Sequence, residues 1–261
     1  MTLTKPTLPQ ADAYRAAGYL SGIGITETEE ALRIRNAFDV LEAQEGKAKA
    51  QIGLLDRHFD QPFIWELATH PRILDCVEEL IGPDFLLLAT HFFCKYGPDD
   101  KFVAWHQDAT YWGLEPPLAL TVWVAVDDSD VENGCMRVIP GSHRAGLRTH
   151  GKAETAGNLL SINQEVPVTP EEEGAAVDLV LRAGEVSIHD GWLIHGSLPN
   201  RSERRRCGLT LRYVPTSVKP IELNSMGKRR RAILVRGSDK EQNFGVCAAP
   251  FGTASGIDTD A

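Results

Sequence analysis

Leu118-Ala119-Leu120-Thr121-Val122-Trp123-Val124-Ala125-Val126-Asp127 is the stretch whose alternation decides the fold. Its even positions (Leu118, Leu120, Val122, Val124, Val126) are all aliphatic, whereas the odd ones are Ala119, Thr121, Trp123, Ala125 and Asp127. Side chains alternate across a strand, so the even face packs on a core or on helices. The odd face, small residues around one tryptophan, looks into a space that needs room. A cavity between two sheets provides it. Further short segments rich in β-branched and aromatic residues surround this one: Phe85 to Tyr96, Cys135 to Ile139, Ala176 to Leu181, Glu185 to His189 and Cys207 to Val214. Turn pairs separate them, among them Asn133-Gly134, Pro140-Gly141, Ala183-Gly184, Asp190-Gly191 and Pro199-Asn200.

The first 82 residues read as helical. Thr26 and Glu29 have the spacing of a capping box, and Ala31, Ile34, Phe38 and Leu41 then recur at helical spacing up to Gly46. A second helix follows Asp60-Gln61-Pro62. A third starts at Pro71, carries Ile73, Leu74, Val77 and Leu80, and stops at Gly82-Pro83. Helices followed by many short strands predict a mainly β chain with N-terminal helices (α+β) and a jelly-roll core. The expected plan is a single domain: a helical layer over 1–82, a core over 83–236 with a surface insertion at 145–175, and a tail over 237–261 that frays from Gly252.

Composition narrows the function classes. Of 261 residues 43% are hydrophobic and 24% charged, which excludes a disordered or fibrous chain, and the net charge of −9 disfavours phosphate backbones and anionic lipid. No nucleic-acid or membrane partner is therefore expected, and the oligomeric state stays open. The runs Arg204-Arg205-Arg206 and Lys228-Arg229-Arg230-Arg231 read as solvated faces. Five cysteines without a CxxC pair fit a reducing compartment, and the N-terminus has no apolar signal segment, so a cytoplasmic location is expected.

Chemistry concentrates in Ala104-Trp105-His106-Gln107-Asp108. An imidazole and a carboxylate two apart on an extended segment project to one side and can grip one metal ion. A second imidazole, His195, follows a later strand, and two His with one carboxylate make the facial triad of non-haem Fe(II) oxygenases. Arg206, eleven positions beyond His195, is suited to bidentate capture of a carboxylate beside that metal.

With those residues stand Trp123, the run Asn133-Gly134-Cys135-Met136-Arg137-Val138-Ile139-Pro140-Gly141-Ser142-His143, and His195-Gly196-Ser197 with Asn200-Arg201-Ser202. Together they closely resemble the phytanoyl-CoA dioxygenase family, Fe(II)- and 2-oxoglutarate-dependent oxygenases on a double-stranded β-helix. The resemblance covers about Phe85 to Arg236. It implies that His106, Asp108 and His195 bind Fe(II), that Arg206 binds the distal carboxylate of 2-oxoglutarate, and that Ser197, Trp123 and Lys95 line the cosubstrate site. Dioxygen is then the second cosubstrate, and succinate and carbon dioxide are released as an unactivated C–H bond of a small molecule is hydroxylated. The carboxylate of Asp108 favours hydroxylation over halogenation, because halogenating relatives carry a small residue there.

His91 and Phe93 alternate with Lys95 onto one face that is expected to line the pocket, and one of Trp105, Tyr111 and Trp112 to form a wall. His143 reads as a turn or cap, and His189 as support for the ligands or as turn chemistry. Arg212 shares the face of Arg206, Gly208 and Thr210, and either contacts an anionic substrate or pairs with a carboxylate. Trp105 to Gly113 and Leu234 to Gly237 look similar to bacterial family members acting on small polar metabolites, aminoalkylphosphonates among them. In that subgroup Lys95, Arg212 or an arginine of the insertion neutralises the phosphonate. The alternatives are a tailoring hydroxylase of an alkaloid, amino acid or acyl substrate, a silent 2-oxoglutarate or iron sensor, and a ligand-binding jelly roll.

Overall fold

The odd face of the Leu118 stretch does look into a cavity, and two antiparallel sheets form its walls. A computed structural model describes residues 8–153, 155–160, 163–221 and 230–252. The elements in chain order are α1 (Leu8–Ala17), β1 (Tyr19–Gly24), α2 (Thr28–Glu45), α3 (Lys47–Ile52), α4 (Pro62–Ala68), α5 (Pro71–Ile81), β2 (Phe85–Lys95), β3 (Val103–His106), β4 (Leu120–Ala125), β5 (Met136–Val138), α6 (Pro170–Gly174), β6 (Val177–Leu179), β7 (Glu185–Asp190), β8 (His195–Ser197), β9 (Arg206–Pro215) and β10 (Arg231–Arg236). The large sheet runs β1-β7-β4-β9-β2-β10 and ends on a short parallel strand, Gly245–Val246. The small sheet runs β3-β8-β5-β6. Two packed antiparallel sheets with helices on one outer face make this the jelly-roll architecture that the sequence predicts.

The even face of β4 explains where the helices go. Leu120, Val122, Val124 and Val126 share one buried cluster with Ile34, Phe38 and Leu41 of α2 and with Ile73, Leu74 and Val77 of α5. Each such aliphatic side chain contributes about 1.5–3 kcal/mol when fully withdrawn from water. Leu118 departs from the pattern. It precedes the strand, directly after Pro116-Pro117, and is 49% exposed.

The helix boundaries follow local signals, with one correction. α2 ends at Gly46, whose φ of 85° suits glycine, and α5 starts at Pro71 with the His70 ring accepting from the backbone of Arg72. The expected Thr26–Glu29 capping box does not form. Glu27 is the N-cap and makes no side-chain cap bond, while the Thr26 hydroxyl donates to the Gly184 carbonyl. The same Thr-x-x-Glu spacing does close a box at α6, where Thr169 and Glu172 satisfy each other's backbone N–H groups.

The N-terminal 82 residues are also not wholly helical. Tyr19–Gly24 is the edge strand of the large sheet, pairing Tyr19 with His189 and Gly24 with Glu185. The described part of 145–175 is tied to the small sheet rather than free on the surface. The Val166 N–H donates to the Trp105 carbonyl, Leu159 to Phe102, and Arg148 to the Gln107 side chain. The tail from 253 onward, Lys228 and Arg229 lie outside the described residues. No described helix is long and apolar enough to cross a membrane.

Candidate metal and cosubstrate centre

Register builds the centre. β8 pairs with β3 so that His195 lies directly opposite His106, their rings 4.1 Å apart, and Asp108 opens the single 3-10 turn that follows β3. One ligand atom from each of His106, Asp108 and His195 lies within 4.8 Å of the other two. All three residues are buried. The Nδ1–H of His106 donates to the Ala104 carbonyl at 2.9 Å, and that of His195 to the Leu193 carbonyl at 3.0 Å. Those bonds fix the tautomer and leave each Nε2 a lone pair, aimed at Asp108 Oδ1 from 3.5 and 4.0 Å. Two lone pairs facing a carboxylate oxygen repel each other unless a cation sits between them. Neutral nitrogen and anionic oxygen donors with open positions suit Fe(II).

The other oxygen of Asp108 is held by the protein. Thr121 Oγ1 donates to Oδ2 at 2.9 Å, and His189 Nε2 lies 3.5 Å from it. Burial pushes the Asp108 carboxyl up, but the surrounding imidazoles, His106 and His189 first, and the Arg212 guanidinium hold it well below the usual carboxylate range. Burial, then the neighbouring His106 and His189, push His195 well down, so it stays neutral and ready to ligate.

Beyond the metal cluster, the β9 register sets Arg206 opposite Lys95 of β2. Arg206 is buried, donates from Nε to the Gly134 carbonyl at 3.0 Å and from Nη2 to Ser197 Oγ at 3.3 Å, and stacks over the Trp123 ring at 5.5 Å. Lys95 Nζ donates to the same Ser197 hydroxyl at 2.6 Å and to the Leu198 carbonyl. Burial, then the charge of Arg206, pushes Lys95 down to about 6. Among the described residues no carboxylate pairs with either cation. A buried guanidinium held only by neutral acceptors fits a carboxylate arriving from outside.

A cavity joins these parts, lined by Phe93, Val103, His106, Asp108, Trp123, Met136, His189, His195, Gly196, Ser197, Arg206, Thr210 and Arg212. Phe93 and Arg212 both line this cavity. His91 does not line the cavity: its Nε2 bonds the Ile52 carbonyl at 2.5 Å, drawing the ring toward α3. Trp105 is also turned away, packed with Ile139, Val166 and Ile194 under the insertion. Tyr111 lies beside the centre, its ring 6.2 Å from His106 and its hydroxyl buried without a partner. His143 serves a turn and bonds the Arg15 carbonyl.

Sequence reasoning passed over Thr121, although the odd face of its own strand pointed to it. Arg204 meets Asp130 and Glu132, and Arg205 meets Asp39, Glu42 and Asp127. Arg230, expected on a solvated face, is partly buried and donates to the Trp112 carbonyl.

Known proteins are similar to this chain. The family model described as Phytanoyl-CoA dioxygenase matches residues 14–208. Human peroxisomal phytanoyl-CoA dioxygenase is 24% identical over 240 residues, 83% of this chain and 71% of that protein. A Stutzerimonas stutzeri protein named probable alpha-ketoglutarate-dependent hypophosphite dioxygenase is 26% identical over 205 residues, 77% of this chain and 68% of that one. The match spans 48% of the bovine phytanoyl-CoA dioxygenase and 39% of a Dictyostelium discoideum homologue. Among solved structures, the non-heme monooxygenase ThoJ in its apo form superposes with a TM-score of 0.76 at 31% identity, covering 94% of this chain and 89% of that one. The epimerase SnoN, in complex with Fe3+, alpha ketoglutarate and nogalamycin RO, superposes with a TM-score of 0.66 at 25% identity, covering 84% and 91%.

Proposed function

Because the chain belongs to the phytanoyl-CoA dioxygenase family, we propose that this Fe(II)- and 2-oxoglutarate-dependent oxygenase hydroxylates an unactivated C–H bond of a small polar metabolite. The observation that carries the reading is the convergence of two neutral Nε2 lone pairs and one carboxylate oxygen within 4.8 Å. His106, Asp108 and His195 hold the iron. Arg206, Lys95, Ser197 and Trp123 hold the far carboxylate of the cosubstrate. When bound, iron and 2-oxoglutarate supply the oxidising chemistry, releasing succinate and carbon dioxide.

The protein's own part is orientation and exclusion. Carbonyl bonds fix both imidazole tautomers, and Thr121 pins the carboxylate so that Oδ1 faces the metal. Buried Arg206 and Ser197 fix the reach of the cosubstrate, and Phe93, Val103 and Met136 give the remaining wall apolar surface that keeps water from the reacting bond. Asp108 fills the position that must be vacated for halide, which supports hydroxylation. The Stutzerimonas stutzeri relative is named for a phosphorus oxyanion, which supports aminoalkylphosphonates as candidate substrates. All five cysteines are free and buried, in keeping with a reducing, cytoplasmic setting.

Anaerobic addition of Fe(II) and 2-oxoglutarate is expected to give a visible charge-transfer band, and Asp108→Ala to lose succinate release. No band at saturating concentrations, or near wild-type turnover in the variant, would refute the reading.

A further inference from the structure

We propose that the substrate carries an oxyanion, as a carboxylate or phosphonate does, and that Arg212 receives it on the side of the metal opposite Arg206. The proposal rests on the oxygenase reading above and specifies which molecules can occupy the remainder of its cavity.

Position comes first. Arg206, Gly208, Thr210 and Arg212 alternate onto one face of β9, and six residues at about 3.3 Å each separate the two arginines by about 20 Å along the strand. Arg212 is in register with Thr121, the residue that holds Asp108. The metal cluster therefore sits at the Arg212 end of the strand, and Arg212 lines the same cavity away from Arg206.

Its bonding is incomplete. The Arg212 guanidinium stacks over the Trp112 ring at 5.8 Å, yet its Nε is buried without a hydrogen-bond partner. No carboxylate pairs with it among the described residues. Other sheltered arginines of this chain are matched: Arg57 meets Glu45 and Asp60, Arg205 meets Asp39, Glu42 and Asp127, and Arg236 meets Asp75 and Glu78. Arg230 adds a second cation at the same tryptophan, donating to the Trp112 carbonyl at 2.8 Å. Burial, and then the charge of Arg212, pull Arg230 below its ordinary value, while Asp56 acts in the opposite direction.

Charge decides the substrate class. Asp108 is the one acid among the described residues lining the cavity. The divalent metal offsets Asp108 and one carboxylate of the dianionic cosubstrate, and Arg206 offsets the other carboxylate. Arg212 is left over. A neutral substrate would bury that guanidinium unpaired, whereas an oxyanion presents two oxygens to its planar fork.

The test uses the full chain, loaded anaerobically with Fe(II) and saturating 2-oxoglutarate, and follows binding of acetate, methylphosphonate and neutral acetamide by NMR titration. Wild type is expected to bind at least one of the two anions at least about ten-fold more tightly than acetamide, the order of one charge-assisted hydrogen bond. The tighter anion names the class. Arg212→Met is expected to erase the preference while 2-oxoglutarate affinity stays within about two-fold, and Arg212→Lys to retain part of it. Arg212→Gln serves equally should the methionine variant fail to fold. Unchanged anion affinity in the variants, no anion preference in wild type, or lost 2-oxoglutarate affinity on removing Arg212 would each overturn the proposal. Wild type that binds neither iron nor 2-oxoglutarate would instead overturn the oxygenase reading beneath it.

Discussion

The two ends of β9 carry the same device, an arginine stacked on a tryptophan, in different states of completion. At one end Arg206 is sealed at 3% exposure, bonds the Gly134 carbonyl and Ser197, and lies over Trp123. At the other, Arg212 lies over Trp112 with its Nε unbonded. A closed, pre-bonded guanidinium suits a ligand of constant shape, because every neighbour already fixes where the carboxylate must sit. An unfinished one suits a ligand that differs between enzymes of one fold. The strand thus carries a finished anion site at one end and an unfinished one at the other.

Exchanging the two arginines in experiment is the strongest way to break this comparison. Arg206→Met removes the buried guanidinium aimed at the cosubstrate end and is expected to weaken 2-oxoglutarate by about 30-fold or more, since truncating one partner of a buried charge pair costs about 2–5 kcal/mol. Titration of the anaerobic charge-transfer band reads this directly. Equal losses from Arg206→Met and Arg212→Met would mean that the two ends are not specialised.

A smaller effect sharpens the comparison at the closed end. A Cβ built on Gly208 would lie 1.9 Å from Trp123 Cζ2 and 2.1 Å from Cε2, so the indole occupies the space that glycine leaves. Gly208→Ala must push that ring off Arg206. Overpacking of this kind costs about 1–3 kcal/mol, which for a chain of this size lowers Tm by about 2–10 °C. Thermal unfolding is expected to show the drop, with weaker 2-oxoglutarate binding and unaltered anion binding at Arg212. An unshifted Tm would mean that the stack has room to spare.

The closed end was largely legible in the sequence, and the open end was not, for a physical reason. His106, His195 and Arg206 sit on strands and Asp108 on the turn after one of them, and their spacing together with the family resemblance marks them. Trp123 was reachable from the odd face of β4 by alternation. His91 follows that alternation too, yet α3 supplies a carbonyl that captures its ring. Trp105 was lost because the insertion packs over it through Val166. Arg230 read as one member of a basic run, and its bond to the Trp112 carbonyl spans 118 residues. The strand at Tyr19–Gly24 has two glycines and exists because β7 offers an edge. Contacts made by loops and helices from elsewhere in the chain leave no period to read.

The smallest expected effect concerns Lys95, and it again separates the two ends. Lys95 is 1% exposed, and burial together with Arg206 pushes its amine down to about 6, so in the free enzyme at pH 7.5 it is mostly neutral. A carboxylate arriving at Arg206 offsets that cation and favours the charged amine, whose extra proton finds acceptors in Ser197 Oγ, the Leu198 carbonyl and the Gly134 carbonyl. Binding then takes up a fraction of a proton. By linkage, 2-oxoglutarate affinity falls as pH rises above about 6, by less than about ten-fold per pH unit, and levels off below about 6, where the amine is already charged. Calorimetric titration in buffers of different ionisation enthalpy measures the uptake. Lys95→Met is expected to abolish it and Arg212→Met to leave it intact, since only the sealed end of the strand couples a titrating amine to the cosubstrate. Zero uptake in the wild-type protein would show that Lys95 keeps one charge state throughout.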